Sequence, residues 1–76
     1  MTMTGKEAED FGRRLKAARV AAGLSLAALG RKVGCTRQML SKWENGGTGS
    51  LDYMRLRRVA SALGIEADTL LKRGKG

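Results

Sequence analysis

The chain has 76 residues, enough for one small domain with one thin core. With no Pro, no His and a single Cys, it favours helix, makes no internal disulfide and offers little for a metal site. Its apolar runs are too short to span a membrane and the start, MTMTGKEAED, lacks a signal-peptide core, so a soluble intracellular protein is expected.

Thr4 followed by Glu7 has capping-box spacing, which starts a helix near Gly5. Phe11, Leu15, Ala18 and Ala22 then fall at four- and three-residue steps, an inward stripe that Gly23 ends. Ser25 caps a short second helix with Leu29 and Val33 inward, and Gly34 stops it. Thr36 caps a third helix over 36–45, with Cys35 and Leu40 at the spacing of a hydrophobic staple and Gly46 as its C-cap. Ser50 or Asp52 caps a fourth, whose stripe is Tyr53, Leu56, Val59, Ala60 and Leu63, and Gly64 stops it. Ile65 and Leu70 stand at staple spacing around a last short turn. The expectation is an all-α, five-helix domain over residues 1–76, with its core in 8–72. The tips, Met1 to Thr4 and Lys72 to Gly76, are expected to be mobile.

The net charge of +8 predicts an acidic partner, and nucleic acid is the commonest one. Between Phe11 and Trp43 there are eight basic residues, Arg13, Arg14, Lys16, Arg19, Arg31, Lys32, Arg37 and Lys42, and no acidic one. A merely solubilising surface mixes both signs.

Only Gly34 and Cys35 separate the second helix from the cap of the third, so the chain must turn sharply there. Gly30, four residues before Gly34, lets the third helix come close. At 100° per residue the third helix divides into two faces. Leu40, Trp43 and Glu44 lie inside; Arg37, Gln38, Ser41, Lys42 and Asn45 lie outside. Arg can pair with guanine and Gln with adenine, each bidentately, while Lys reaches guanine or a phosphate. Glu44 on an apolar face needs a partner. Arg19 shows the matching anomaly on the inward stripe of the first helix, and an Arg19–Glu44 pair between helices is expected.

The stretch Asn45-Gly46-Gly47-Thr48-Gly49-Ser50 has the look of a phosphate loop. A nucleotide loop follows a strand and opens a helix, and here a helix precedes it and no Lys follows the glycines. Two readings stay open: backbone N–H groups that meet a DNA phosphate, or a flexible connector. No enzyme is expected, because Cys35 has no base to activate it and the carboxylates are scattered. The inner stripes are needed for a core, so no membrane partner is expected either.

The run GLSLAALGRKVGCTRQMLSKWENG, followed by VASALGIEADTLL, resembles the XRE (lambda-repressor-like, Cro/CI-type) helix-turn-helix family. The likeness covers roughly Phe11 to Leu71. The resemblance implies a five-helix domain that binds double-stranded DNA as a homodimer on a palindromic operator, regulating transcription, as a repressor where it covers a promoter. It implies a bacterial or phage-encoded cytoplasmic protein, on the nucleoid when bound to DNA, with no cofactor.

Base reading falls on Arg37, Gln38, Ser41 and Lys42; backbone contacts fall on Arg31, Lys32, Thr36, Asn45, Gly46 and Gly47; Arg19 and Glu44 match the family's structural pair. Two departures stand out. Members commonly carry a phosphate-holding Gln where this chain has Leu26, and the connector after Gly46 is longer than in the phage repressors. The alternative is an antitoxin or protein-binding adaptor on the same fold, with a toxin or other protein as partner.

Overall fold

The computed structural model describes residues 3–71. Five helices follow one another: α1 (Gly5–Ala21), α2 (Leu26–Val33), α3 (Arg37–Glu44), α4 (Tyr53–Leu63) and α5 (Ala67–Leu71). No strand occurs among the described residues. α3 packs against α1 and α2, α4 against α2 and α5, and α5 returns to α1. The Arg14 guanidinium ties α1 to α5 by donating to the Leu70 carbonyl at 3.3 Å.

Four of the five helices, α1 to α4, start where a short polar side chain meets their free N–H groups. Thr4 and Glu7 form a reciprocal capping box. Ser25, Thr36 and Asp52 accept from Ala28, Met39 and Arg55 N–H at 3.0, 3.1 and 2.8 Å. Asp52 therefore caps α4, and Ser50 has another use: its hydroxyl accepts from the Trp43 indole N–H at 3.1 Å. That bond satisfies the polar edge of a fully buried ring.

The core contains Phe11, Leu15, Leu29, Val33, Leu40, Trp43, Leu51, Leu56, Val59, Ala60 and Leu70. Two stripe positions are corrected. Ala22 is the exposed cap residue of α1, and Tyr53, at the first position of α4, is about half exposed (52%). Both lie at helix ends, where the stripe has already run past the core. Leu51 joins the core from the connector. Met3, expected in a mobile tip, packs against the core, and Thr4 caps α1. The remainder of those tips, residues 1–2 and 72–76, lies outside the described residues.

Gly12 marks the closest crossing of α1 and α3. A Cβ there would stand 2.7 Å from the Glu44 carbonyl carbon and 2.8 Å from the Trp43 oxygen. Gly30 does the same for the turn after α2, and the neighbour it admits is the Cys35 carbonyl, 2.5 Å from a Cβ at that position. The first residue of α3 also comes close, with the Arg37 backbone nitrogen 3.6 Å from that Cβ.

Candidate nucleic-acid interface

The turn between α2 and α3 is built by Gly34, whose φ of +75° is open to glycine and costly for other residues. The Gly34 and Cys35 N–H groups both donate to the Gly30 carbonyl, at 2.8 and 3.0 Å. This bends the chain within one residue and sets the last turn of α2 beside the first turn of α3. Arg31 and Lys32 end α2, Thr36 and Arg37 begin α3, and all four are exposed. Cys35 is half-buried and packs at the margin of the core.

α3 divides as its sequence demands. Leu40 and Trp43 are fully buried, whereas Arg37, Gln38, Lys42 and the capping Asn45 are exposed and Ser41 is half-buried. Asn45 turns its amide back to the Ser41 carbonyl at 2.8 Å. Thr36 spends its oxygen on the cap and keeps a hydroxyl proton for an outside acceptor.

Glu44 holds α3 in place. The Arg19 Nε donates to Oε2 at 2.6 Å and Nη2 to Oε1 at 3.2 Å, a two-pronged pair with both side chains largely buried (12% and 7% exposed). The third guanidinium contact, Nη1 to the Leu24 carbonyl at 2.8 Å, clamps the α1–α2 connection to the same point. Hydrogen bonding to Glu44, and then its charge, raise the Arg19 pKa against the opposing effect of burial, so this cation stays charged.

Charge is the main electrostatic feature of this face. The sole carboxylate between Phe11 and Leu51 is Glu44, and it is paired. The other ion pairs among the described residues join Asp10 to Lys6 and Arg13, and Asp52 to Arg55. None involves Arg31, Lys32, Arg37 or Lys42. Four exposed cations therefore surround the turn and α3 with no ion-pair partner among the described residues, a surface suited to phosphates with polar side chains in its middle.

The connector Asn45–Asp52 is held by backbone hydrogen bonds at its start and by buried residues further along. Gly46 takes a φ of +94° and donates to the Trp43 carbonyl at 3.1 Å, while Gly47 donates to the Lys42 carbonyl at 2.8 Å. These are the two bonds of a Schellman helix ending. The helix cap is Asn45, one residue before the expected Gly46. Both glycine N–H groups expected to face a phosphate are spent on closing α3. Thr48 and Leu51 are then buried, and Leu51 donates to the Thr48 carbonyl at 3.1 Å, which anchors the loop. Leu26, the departure from the family's Gln, is half-buried against the core.

Sequence reasoning missed Gly12, Leu51, the Ser50–Trp43 bond and the Leu24 clamp. A glycine inside a helix signals close approach, so Gly12 was open to discovery. Leu51 and the Ser50–Trp43 bond depend on where the connector after α3 runs, and the Leu24 clamp on the path of the α1–α2 connection, and no local pattern encodes either.

Similar folds occur among solved structures. The hydroxypropylphosphonic acid epoxidase from S. wedmorenis is 33% identical with a TM-score of 0.82, over 88% of this chain and 35% of that one. The same enzyme, HppE, with Co(II) and Tris buffer gives 32% identity and a TM-score of 0.79 over 90% and 37%. With Fe(II) and substrate the values are 33% and 0.77 over 83% and 35%. The chain thus spans about a third of the length of these proteins. Residues 10–72 match the family described as Helix-turn-helix domain, and with most of its length inside that match the chain belongs to this family, a member of the XRE-like helix-turn-helix clan.

Proposed function

We propose that this protein is a sequence-specific double-stranded DNA-binding regulator that sets α3 in the major groove. The observation that carries this reading is the uncompensated cationic surface of α2 and α3 in a helix-turn-helix domain. Arg37 and Gln38, exposed on the first turn of α3, read base edges. Ser41 is a lesser reader, since it is half-buried. Arg31, Lys32 and the Thr36 hydroxyl hold phosphates, and Arg31 takes over the contact that Leu26 cannot make. The active form is a homodimer on a palindromic operator, and it represses by covering a promoter, in the cytoplasm of the cell.

Two single substitutions separate base reading from charge. Arg37→Ala is expected to cost ~1–3 kcal/mol on a selected site and much less on random DNA, and Lys32→Ala is expected to weaken both alike. Equal losses on both duplexes for Arg37→Ala would end the base-reading assignment.

A protein-binding role is the second reading, and a specific observation favours it: a similar domain forms about a third of an epoxidase chain. On this reading α3 meets a protein, such as a toxin or the rest of a larger chain. Binding that ignores DNA but retains a protein partner after Arg37→Ala would support it.

A further inference from the structure

Lys42 is exposed in the last turn of α3. Its carbonyl accepts the Gly47 N–H at 2.8 Å, which folds Gly47 back alongside it. In such a helix ending, the residues at these two positions commonly touch through their side chains. Here one of them has no side chain, and the methylenes of the other fill the space. A Cβ on Gly47 would stand 2.7 Å from Lys42 Cγ, 3.3 Å from the Lys42 carbonyl oxygen and 3.4 Å from Cδ.

Gly47 is absent from the glycines with positive φ, so its backbone conformation does not demand glycine. The lysine stem is the tightest obstacle, and the Lys42 carbonyl oxygen is a lesser one that any residue at 42 would keep. The atom in the way is Cγ, close to the backbone, so swinging the tip of the lysine does not relieve the overlap. The side chain has to change rotamer near its root.

We infer that Gly47 is a positioning residue for Lys42. Its bare backbone lays the lysine stem along the loop that leaves α3, so that the ammonium meets a DNA phosphate instead of a base edge. This rests on the reading that α3 enters the major groove. Arg37 and Gln38 stand at the opposite end of α3, and the choice of bases is left to them. Gly47 thereby sets affinity without touching nucleic acid, and Lys42 moves from the base readers to the phosphate contacts.

A double-mutant cycle with Gly47→Ala and Lys42→Ala tests this on a selected duplex and a random-sequence duplex over a range of salt, with thermal melting to confirm folding. In the free protein, a nuclear Overhauser contact between the Gly47 α-protons and the Lys42 γ-protons tests the packing independently of DNA. The contact is expected to be present. Lys42→Ala is expected to weaken both duplexes by the same factor and to lower the slope of log K against log salt by about 0.9. Gly47→Ala is expected to weaken binding in the Lys42 background and to weaken it far less once Lys42 is alanine, when only the carbonyl contact remains.

Equal loss in both backgrounds would mean that Gly47 acts through the loop alone, and overturns the inference. A Lys42→Ala loss confined to the selected duplex returns the lysine to base reading and overturns it too. Binding without the Overhauser contact removes the positioning role only. The contact without binding to either duplex removes the groove reading, and the proposed role with it.

Discussion

Arg19 shows how one side chain can serve three elements. It leaves α1, pairs twice with Glu44 on α3, and donates to the Leu24 carbonyl ahead of α2. Removing Glu44 strands a largely buried guanidinium, so Glu44→Ala is expected to lower unfolding free energy in urea by ~3–5 kcal/mol. A value near zero would contradict the buried pair. The pH dependence has a definite sign. Glu44 raises the Arg19 pKa, so the stability that this shift contributes is fully present below the ordinary arginine value and is lost only above it. Melting curves across neutral pH are therefore expected to show no transition from Arg19. Gly12→Ala is a second test at this scale. Its methyl runs into the α3 backbone, and overpacking of that kind costs ~1–3 kcal/mol.

The first four helices were legible because each carries its own start and stop signals. Thr4, Ser25 and Thr36 cap as their sequence positions predict, and the alternation of buried and exposed residues in α3 follows its 100° period. Glu44 and Arg19 were legible for a different reason: a charge on an apolar stripe has to be answered somewhere. The connector after α3 was not legible. Its glycines look alike in sequence, yet Gly46 needs a left-handed φ, Gly47 needs room for a lysine, and Gly49 needs neither. Those differences come from the fold-back of the helix end and from Leu51 seating in the core. Two substitutions test how α3 is closed. Gly46→Ala forces a Cβ into the left-handed region at ~1–2 kcal/mol, and Thr36→Ala loses the N-cap at about 1 kcal/mol. Both are read as falls in melting temperature. A Gly46→Ala protein as stable as the parent would contradict the Schellman ending.

At the scale of the molecule, five short helices bury one thin core, and the face that α2 and α3 leave to solvent is cationic and unpaired. The core fixes where that face is, and Arg19–Glu44 and Gly12 fix how α3 sits within it. Affinity for DNA is expected to fall steeply as salt rises, and replacing Lys32 by Ala is expected to flatten the slope by about 0.9. Fold class and the outward residues of α3 could be read from period and charge. No stripe in the sequence marks a surface for the proposed homodimer. The most direct test of the central claim is selection by the intact chain from a random pool of duplex DNA, followed by footprinting. One enriched motif is expected, protected in the major groove and losing definition with Arg37→Ala. Failure to enrich any sequence, with charge-driven binding alone, would contradict it.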